Sequence, residues 1–152
     1  MVKCKFSLAE HKRYFLDVVS KTDKKILAEW AIMCALRVMP YFEEKYPKDK
    51  RPQVAIETLR SWIKTGIFSM AVIRKASLDS HAAAREVGED NSARSAARAV
   101  GQAVATAHVK THSIGAAIYA LQAIYRETGS EDDLLREREW QMGRLRELKK
   151  NG

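Results

Sequence analysis

Signals for β-strands and for membrane spans are almost absent from this sequence. No Asn-Gly or Asp-Gly hairpin turn joins two alternating segments, and no apolar run reaches the roughly 18 residues that a membrane-spanning helix needs. The N-terminal residues reach charged side chains at once and lack the long apolar core of a signal peptide. These absences predict a cytoplasmic all-α protein with no membrane partner.

Cysteine is also scarce, and the common signatures of catalytic sites are missing. Cys4 and Cys34 are too few and too isolated for a disulfide framework or a zinc site, and the apolar helical pattern around Cys34 predicts a place in the core. The chain contains no Walker phosphate loop and no GxGxxG, GxSxG or HExxH motif. The sequence therefore favours a protein that is not an enzyme and holds no cofactor.

Positive charge, by contrast, is plentiful and unevenly placed. The formal net charge is +8, and the whole excess lies in residues 1–77. Such an excess is typical of proteins that bind an acidic partner or nucleic acid, although a solvated basic face gives the same pattern. No run of five basic residues occurs, and the basic residues are not interleaved with aromatics as on an RNA-binding platform. The pattern therefore does not favour nucleic acid as a partner.

Apolar residues recur at helical spacing along the chain, and capping residues divide them into segments. Pro40 is expected to end or kink the second helix near Val38, because proline removes an amide donor and disfavours helical geometry in the residue before it. The pattern predicts an all-α fold, a single-domain bundle of about six or seven helices. The expected helices cover about 8–19, 24–38, 52–65, 69–87, 92–109, 112–126 and 130–150.

The last segment differs in character from the rest. Acidic residues follow Ser130, lysines stand at the other end, and the apolar stripe between them is narrow. A helix of this kind lies on the outside of a domain or pairs with another chain. We therefore expect a helical bundle domain over residues 1–129 and a charged C-terminal helix over 130–152, packed on that domain or forming a homodimer contact.

Two histidines, His108 and His112, stand four residues apart ahead of a long apolar run. On an unbroken helix they would share a face at a spacing that some metal sites use, and His81 could supply a third ligand from another helix. An unbroken helix over residues 92–127 would be roughly 54 Å long, whereas a domain of this size is about 30–40 Å across. A break is therefore predicted within VKTHS, which favours a structural role for the pair.

Three segments carry a family resemblance: AEWAIMCALRVMPYFEEKYPKDKRPQVAIETLRSWIKTG (28–66), SHAAAREV (80–87) and ARAVGQAVATAHVKTHSIGAAIYA (98–120). Together they resemble the small all-helical immunity proteins of the immunity-five-like family of polymorphic-toxin systems. The resemblance covers about residues 25–127, so that the N-terminal segment and the charged C-terminal helix fall outside it. It implies a helical bundle that binds and blocks a cognate toxin, with no catalytic residues to carry over.

The sequence thus predicts a non-enzymatic immunity protein whose basic half would suit an acidic toxin surface. Two other functions stay open at this point. One is a metal-dependent enzyme that uses His81, His108 and His112. The other is a basic accessory protein associated with nucleic acid.

Overall fold

A computed structural model describes residues 6–152, and within that part of the chain the regular structure consists of seven α-helices without a strand. The prediction of an all-α, single-domain bundle of six or seven helices is confirmed. None of these helices is both long and apolar enough to cross a membrane. The helices are α1 Leu8–Ser20, α2 Lys24–Glu43, α3 Arg51–Thr65, α4 Met70–Glu86, α5 Ser92–Ala105, α6 His112–Thr128 and α7 Glu131–Asn151.

Most helix ends follow the short-range signals in the sequence. The hydroxyls of Ser7, Ser69 and Ser130 each accept a hydrogen bond from the backbone amide three residues later, at 3.2, 3.4 and 3.1 Å. Gly66 and Gly129 end α3 and α6 in the left-handed conformation, with φ of 70° and 66°. Because these signals act over three or four residues, they can be recognised without knowledge of the tertiary structure.

The expected end of α2 near Val38 is wrong, because the helix continues through Pro40 to Glu43. Proline leaves the carbonyl of Leu36 without its usual helical donor. Leu36 and Pro40 both lie on the exposed side of the helix, where water can satisfy that carbonyl. The ladder resumes at once, since the amide of Glu44 donates to the carbonyl of Pro40 at 3.0 Å.

The core is built around α5, which packs against α2, α3, α4 and α6. Two glycines allow the close approach of the neighbouring helices. A Cβ added at Gly101 would lie 2.7 Å from the His81 ring on α4, and one added at Gly115 on α6 would lie 2.5 Å from the Gln102 side chain. A methyl group at Gly101 would therefore press on the His81 ring, whereas one at Gly115 would require the flexible Gln102 side chain to shift.

The C-terminal helix α7 packs on α2 and α6 through buried polar contacts. The Trp30 indole donates to the carbonyl of Gln141 at 2.8 Å, and the Gln141 side-chain amide donates to the carbonyl of Ala117 at 3.0 Å. Glu137, which is only 6% exposed, accepts two hydrogen bonds from the Arg37 guanidinium at 2.8 and 3.1 Å. These bonds hold α7 against the bundle.

Candidate functional site

The histidines of the sequence prediction lie at the corner where α5 gives way to α6. Helix α5 ends at Ala105 and α6 begins at His112, so the predicted break is confirmed and His108 lies in the intervening turn. The two histidines therefore do not share one helical face. They nevertheless line the same cavity of about 150 Å³, and His81 on α4 is close enough for electrostatic coupling to His112. We call these three residues the histidine corner.

Each histidine ring in this corner already has a partner. The Arg98 guanidinium donates to Nδ1 of His81 at 3.0 Å, because arginine has no acceptor. Nδ1 of His112 lies 2.8 Å from Oε1 of Gln102 and therefore donates to it. The His108 ring stacks on Phe68, with ring centroids 6.3 Å apart. The corner thus joins α4, α5, α6 and the loop before α4.

The environment of the corner favours neutral imidazoles. Burial lowers the pKa of His81 to about 4, with a further contribution from the positive charge of Arg98. Burial also lowers the pKa of His112, and His108 adds to that effect. At neutral pH these two rings carry no charge and act as hydrogen-bonding groups between helices.

The donor set gives no support to a metal-dependent enzyme. The lone pair of His81 Nδ1 accepts from Arg98, and the opposite edge of the ring lies against Gly101. Within residues 6–152 no three His, Cys, Asp or Glu side chains form a group that could hold a metal ion. Cys34 is fully buried, and that burial raises the pKa of its thiol, which disfavours the reactive thiolate. Cys4 lies outside the described residues.

An exposed apolar surface, which the sequence patterns did not predict, adjoins the histidine corner. Val54 on α3, Ile67 and Phe68 in the loop, and Val72 on α4 are between 45% and 77% exposed. We call these four residues the apolar face. Three of them line an open cleft of about 470 Å³ between α3 and α4. Two large apolar residues directly after Gly66 were the available signal, because a loop between helices is usually polar.

A second surface lies on the other side of α3, along the outer side of α2. Two adjoining clefts of about 340 and 330 Å³ share Met33 and Leu36. The Arg37 guanidinium lies over the Trp140 ring, 4.2 Å from its centroid. We call this surface the basic groove. Its apolar floor consists of Ile32, Met33, Leu36 and Ile63, and its lining also includes Arg37, Arg60, Lys64, Trp140, Arg144 and the single acid Glu29.

One family model matches almost the whole helical bundle. The family model described as "Imm-5 like putative immunity protein" matches residues 17–148. No curated protein and no solved structure matches the chain. The match extends beyond residues 25–127 at both ends, so the expectation that the charged C-terminal helix falls outside the family is wrong. In this chain, hydrogen bonds from Trp30 and Arg37 attach α7 to the bundle. The chain is therefore a member of the Imm-5 like family.

Proposed function

We propose that this protein binds a cognate protein toxin in the cytoplasm and blocks it, without catalysing a reaction itself. Membership of the immunity-protein family carries the proposal. The apolar face supports it, because a surface with four large, exposed apolar side chains is suited to burial against another protein. Each side chain that a toxin covers would contribute on the order of 1 kcal/mol, at about 25 cal/mol per Å² of apolar area.

Contacts within the chain hold the loop that carries Ile67 and Phe68. The amide of Ile67 donates to the Thr65 hydroxyl at 3.2 Å, and Gly66 caps α3. Phe68 stacks on His108, so the histidine corner supports the apolar face from behind. A preordered loop loses little conformational entropy on binding, which favours tight association. This gives His108 a positioning role rather than a catalytic one.

Co-expression tests the proposed function. Genes that flank this one are expressed singly in a sensitive host, with and without this protein. If the proposal is right, at least one product is toxic alone and tolerated in the presence of this protein, and the two purified proteins form a complex of fixed stoichiometry. The proposal is refuted if a toxic neighbour is neither neutralised nor bound, or if no flanking product is toxic.

A pair of matched variants tests the apolar face within that assay. Ile67→Asp with Val72→Asp is expected to abolish rescue, because two charges would have to be desolvated in the interface. Leu8→Asp with Leu16→Asp changes two similarly exposed apolar residues on α1 and should leave rescue intact. Circular dichroism is the control that checks whether both double variants fold. Equal rescue by the two variants would show that the toxin binds elsewhere.

The homodimer expected through α7 remains a prediction. The apolar stripe of α7 is largely used inside the chain, since Leu134, Met142 and Leu145 are buried. A dimer would therefore have to use the outer side of the helix, where Leu135 is exposed among charged residues. Light scattering across a hundredfold range of protein concentration measures the oligomeric state directly.

A further inference from the structure

An unusual cluster of positive charge lies at one end of the basic groove. Lys24 and Lys25 occupy the first turn of α2, which contains no acidic residue. Positive side chains in this position oppose the helix dipole, which favours acids at the N-terminal end. The Lys24 ammonium lies 5.6 Å from the centre of the Trp62 ring. The Lys25 ammonium lies 3.9 Å from the point that a Cβ on Gly66 would occupy. Both lysines therefore lie beside the last turn of α3.

The exposed cations Arg60 and Lys64 on α3 extend this cluster along the groove. Within residues 6–152 neither they nor Lys24 and Lys25 form an ion pair within 4.0 Å. Elsewhere on the surface, pairing is common, as between Lys21 and Asp17, Lys75 and Asp79, and Arg136 and Asp133. Two of these cations, Arg60 and Lys64, line the groove beside the single carboxylate Glu29, and the other two lie next to the last turn of α3. This arrangement leaves a local excess of positive charge.

We propose that the basic groove binds an amphipathic, acidic helical segment of the toxin, and this inference rests on the proposed function above. The apolar floor accepts the apolar side of such a helix, and Arg60 and Lys64, which line the groove, face its carboxylates. Lys24 and Lys25 add positive charge beside the last turn of α3. Helix-in-groove binding of this kind is a common mode of recognition, and opposite charge adds specificity and a faster encounter.

The floor of the groove argues against two other occupants. Nucleic acid is bound mainly through its phosphates, which could contact the cations of the groove but would leave its apolar floor uncovered. A second copy of this chain has an acidic segment at the start of α7, from Glu131 to Asp133. That helix already buries Leu134, Met142 and Leu145 inside its own chain, so it cannot present an apolar side to the groove.

The basic groove and the apolar face flank the same helix, α3. Neighbouring packed helices lie about 8–10 Å apart, and a standard interface covers roughly 800 Å² on each partner. One toxin surface is therefore large enough to contact both. Its acidic residues are expected on the side of α3 that faces α2, and its apolar residues on the side that faces α4.

The experiment uses an 18-residue fluorescent helical peptide with leucine on one side and glutamate beside it, together with a peptide in which every glutamate is lysine. Fluorescence anisotropy with the full chain should show binding of the glutamate peptide only. Arg60→Glu with Lys64→Glu should weaken that binding at least tenfold and create binding of the lysine peptide. Lys12→Glu with Arg13→Glu, the same charge change on exposed positions of α1, should leave both results unchanged.

The inference would be overturned if the glutamate peptide does not bind, or if the Lys12/Arg13 control variant loses as much affinity for it as the groove variant. It would also be overturned if a 20-base-pair DNA duplex displaces the bound peptide. Leu36→Glu provides a second variant, because it places a charge in the apolar floor and should also weaken binding. Toxin rescue that survives Arg60→Glu with Lys64→Glu would refute this groove while leaving the immunity function intact. Peptide binding without any toxin rescue would refute the immunity function while leaving the groove intact as a binding site for acidic helices.

Discussion

Replacing Gly101 by alanine tests the close contact between α4 and α5. In an open helical position this change should stabilise the protein by about 1 kcal/mol, because alanine has the higher helix propensity. At Gly101, however, the new Cβ would lie 2.7–2.9 Å from three atoms of the His81 ring. The ring cannot move away freely, since Nδ1 accepts from Arg98 at 3.0 Å.

The expected magnitude follows from these opposing effects. Overpacking of a well-filled contact costs about 1–3 kcal/mol, and loss of a hydrogen bond to a charged donor costs about 1.5–3 kcal/mol if the ring turns away. After the gain in helix propensity, we expect Gly101→Ala to lower the free energy of unfolding by about 1 kcal/mol, with an upper bound of about 2 kcal/mol. Gly143 on α7 supplies the control, because nothing lies within 4 Å of its Cβ position. Gly143→Ala should raise stability by about 0.5–1 kcal/mol.

Urea denaturation followed by circular dichroism measures both changes at pH 7.5. A His81→Ala background makes the test sharper, because removal of the ring frees the space that the alanine methyl group needs. In that background Gly101→Ala should become stabilising, like Gly143→Ala. A clash with the His81 ring would be refuted if Gly101→Ala is as stable as the wild type. It would also be refuted if the loss of stability is the same with and without the His81 ring.

The buried polar contacts lead to three more predictions, each measured by chemical denaturation. Because the pKa of His81 is about 4 in the fold and ordinarily 6.5, acid protonates the unfolded chain first. The stability that neutral His81 contributes is thus fully present above pH 6.5 and should be lost as the pH drops toward 4, by about 1–2 kcal/mol once solvent screening is allowed for. His81→Gln should make stability less dependent on pH in this range. An unchanged pH dependence would contradict the role given to His81. Arg37→Ala leaves the buried Glu137 carboxylate unpaired and should cost about 1–3 kcal/mol, whereas a loss below 0.5 kcal/mol would mean that water replaces the arginine. Trp30→Phe removes the donor to the carbonyl of Gln141 and should cost about 1–3 kcal/mol, so a neutral result would show that this bond contributes nothing.

Features that depend on neighbouring residues could be predicted from the sequence, whereas features that depend on tertiary contacts could not. The ends at Ser69, Gly66 and Gly129 were predictable because a cap depends on residues three or four positions away. The continuation of α2 through Pro40 was not, because it depends on whether the orphaned Leu36 carbonyl reaches water.

The candidate surfaces depend on contacts between residues far apart in the chain. Length predicted the break between His108 and His112, but not that His81 would lie beside them, since α4 supplies it through packing on α5. The basic excess was visible in the sequence, whereas its concentration beside α3 was not. It arises because the start of α2 lies next to the end of α3, about 40 residues away, which brings Lys25 close to Gly66.

The close contacts at Gly101 and Gly115 also bear on how this fold can diverge. A larger residue at Gly101 is best accommodated by a smaller one in place of His81 on the facing helix, so substitutions in this central contact are coupled. Arg60, Lys64 and Val72 are exposed and carry no such dependence. Under the proposed function, the flanks of α3 could therefore adapt to an altered toxin one residue at a time while the scaffold stays constant.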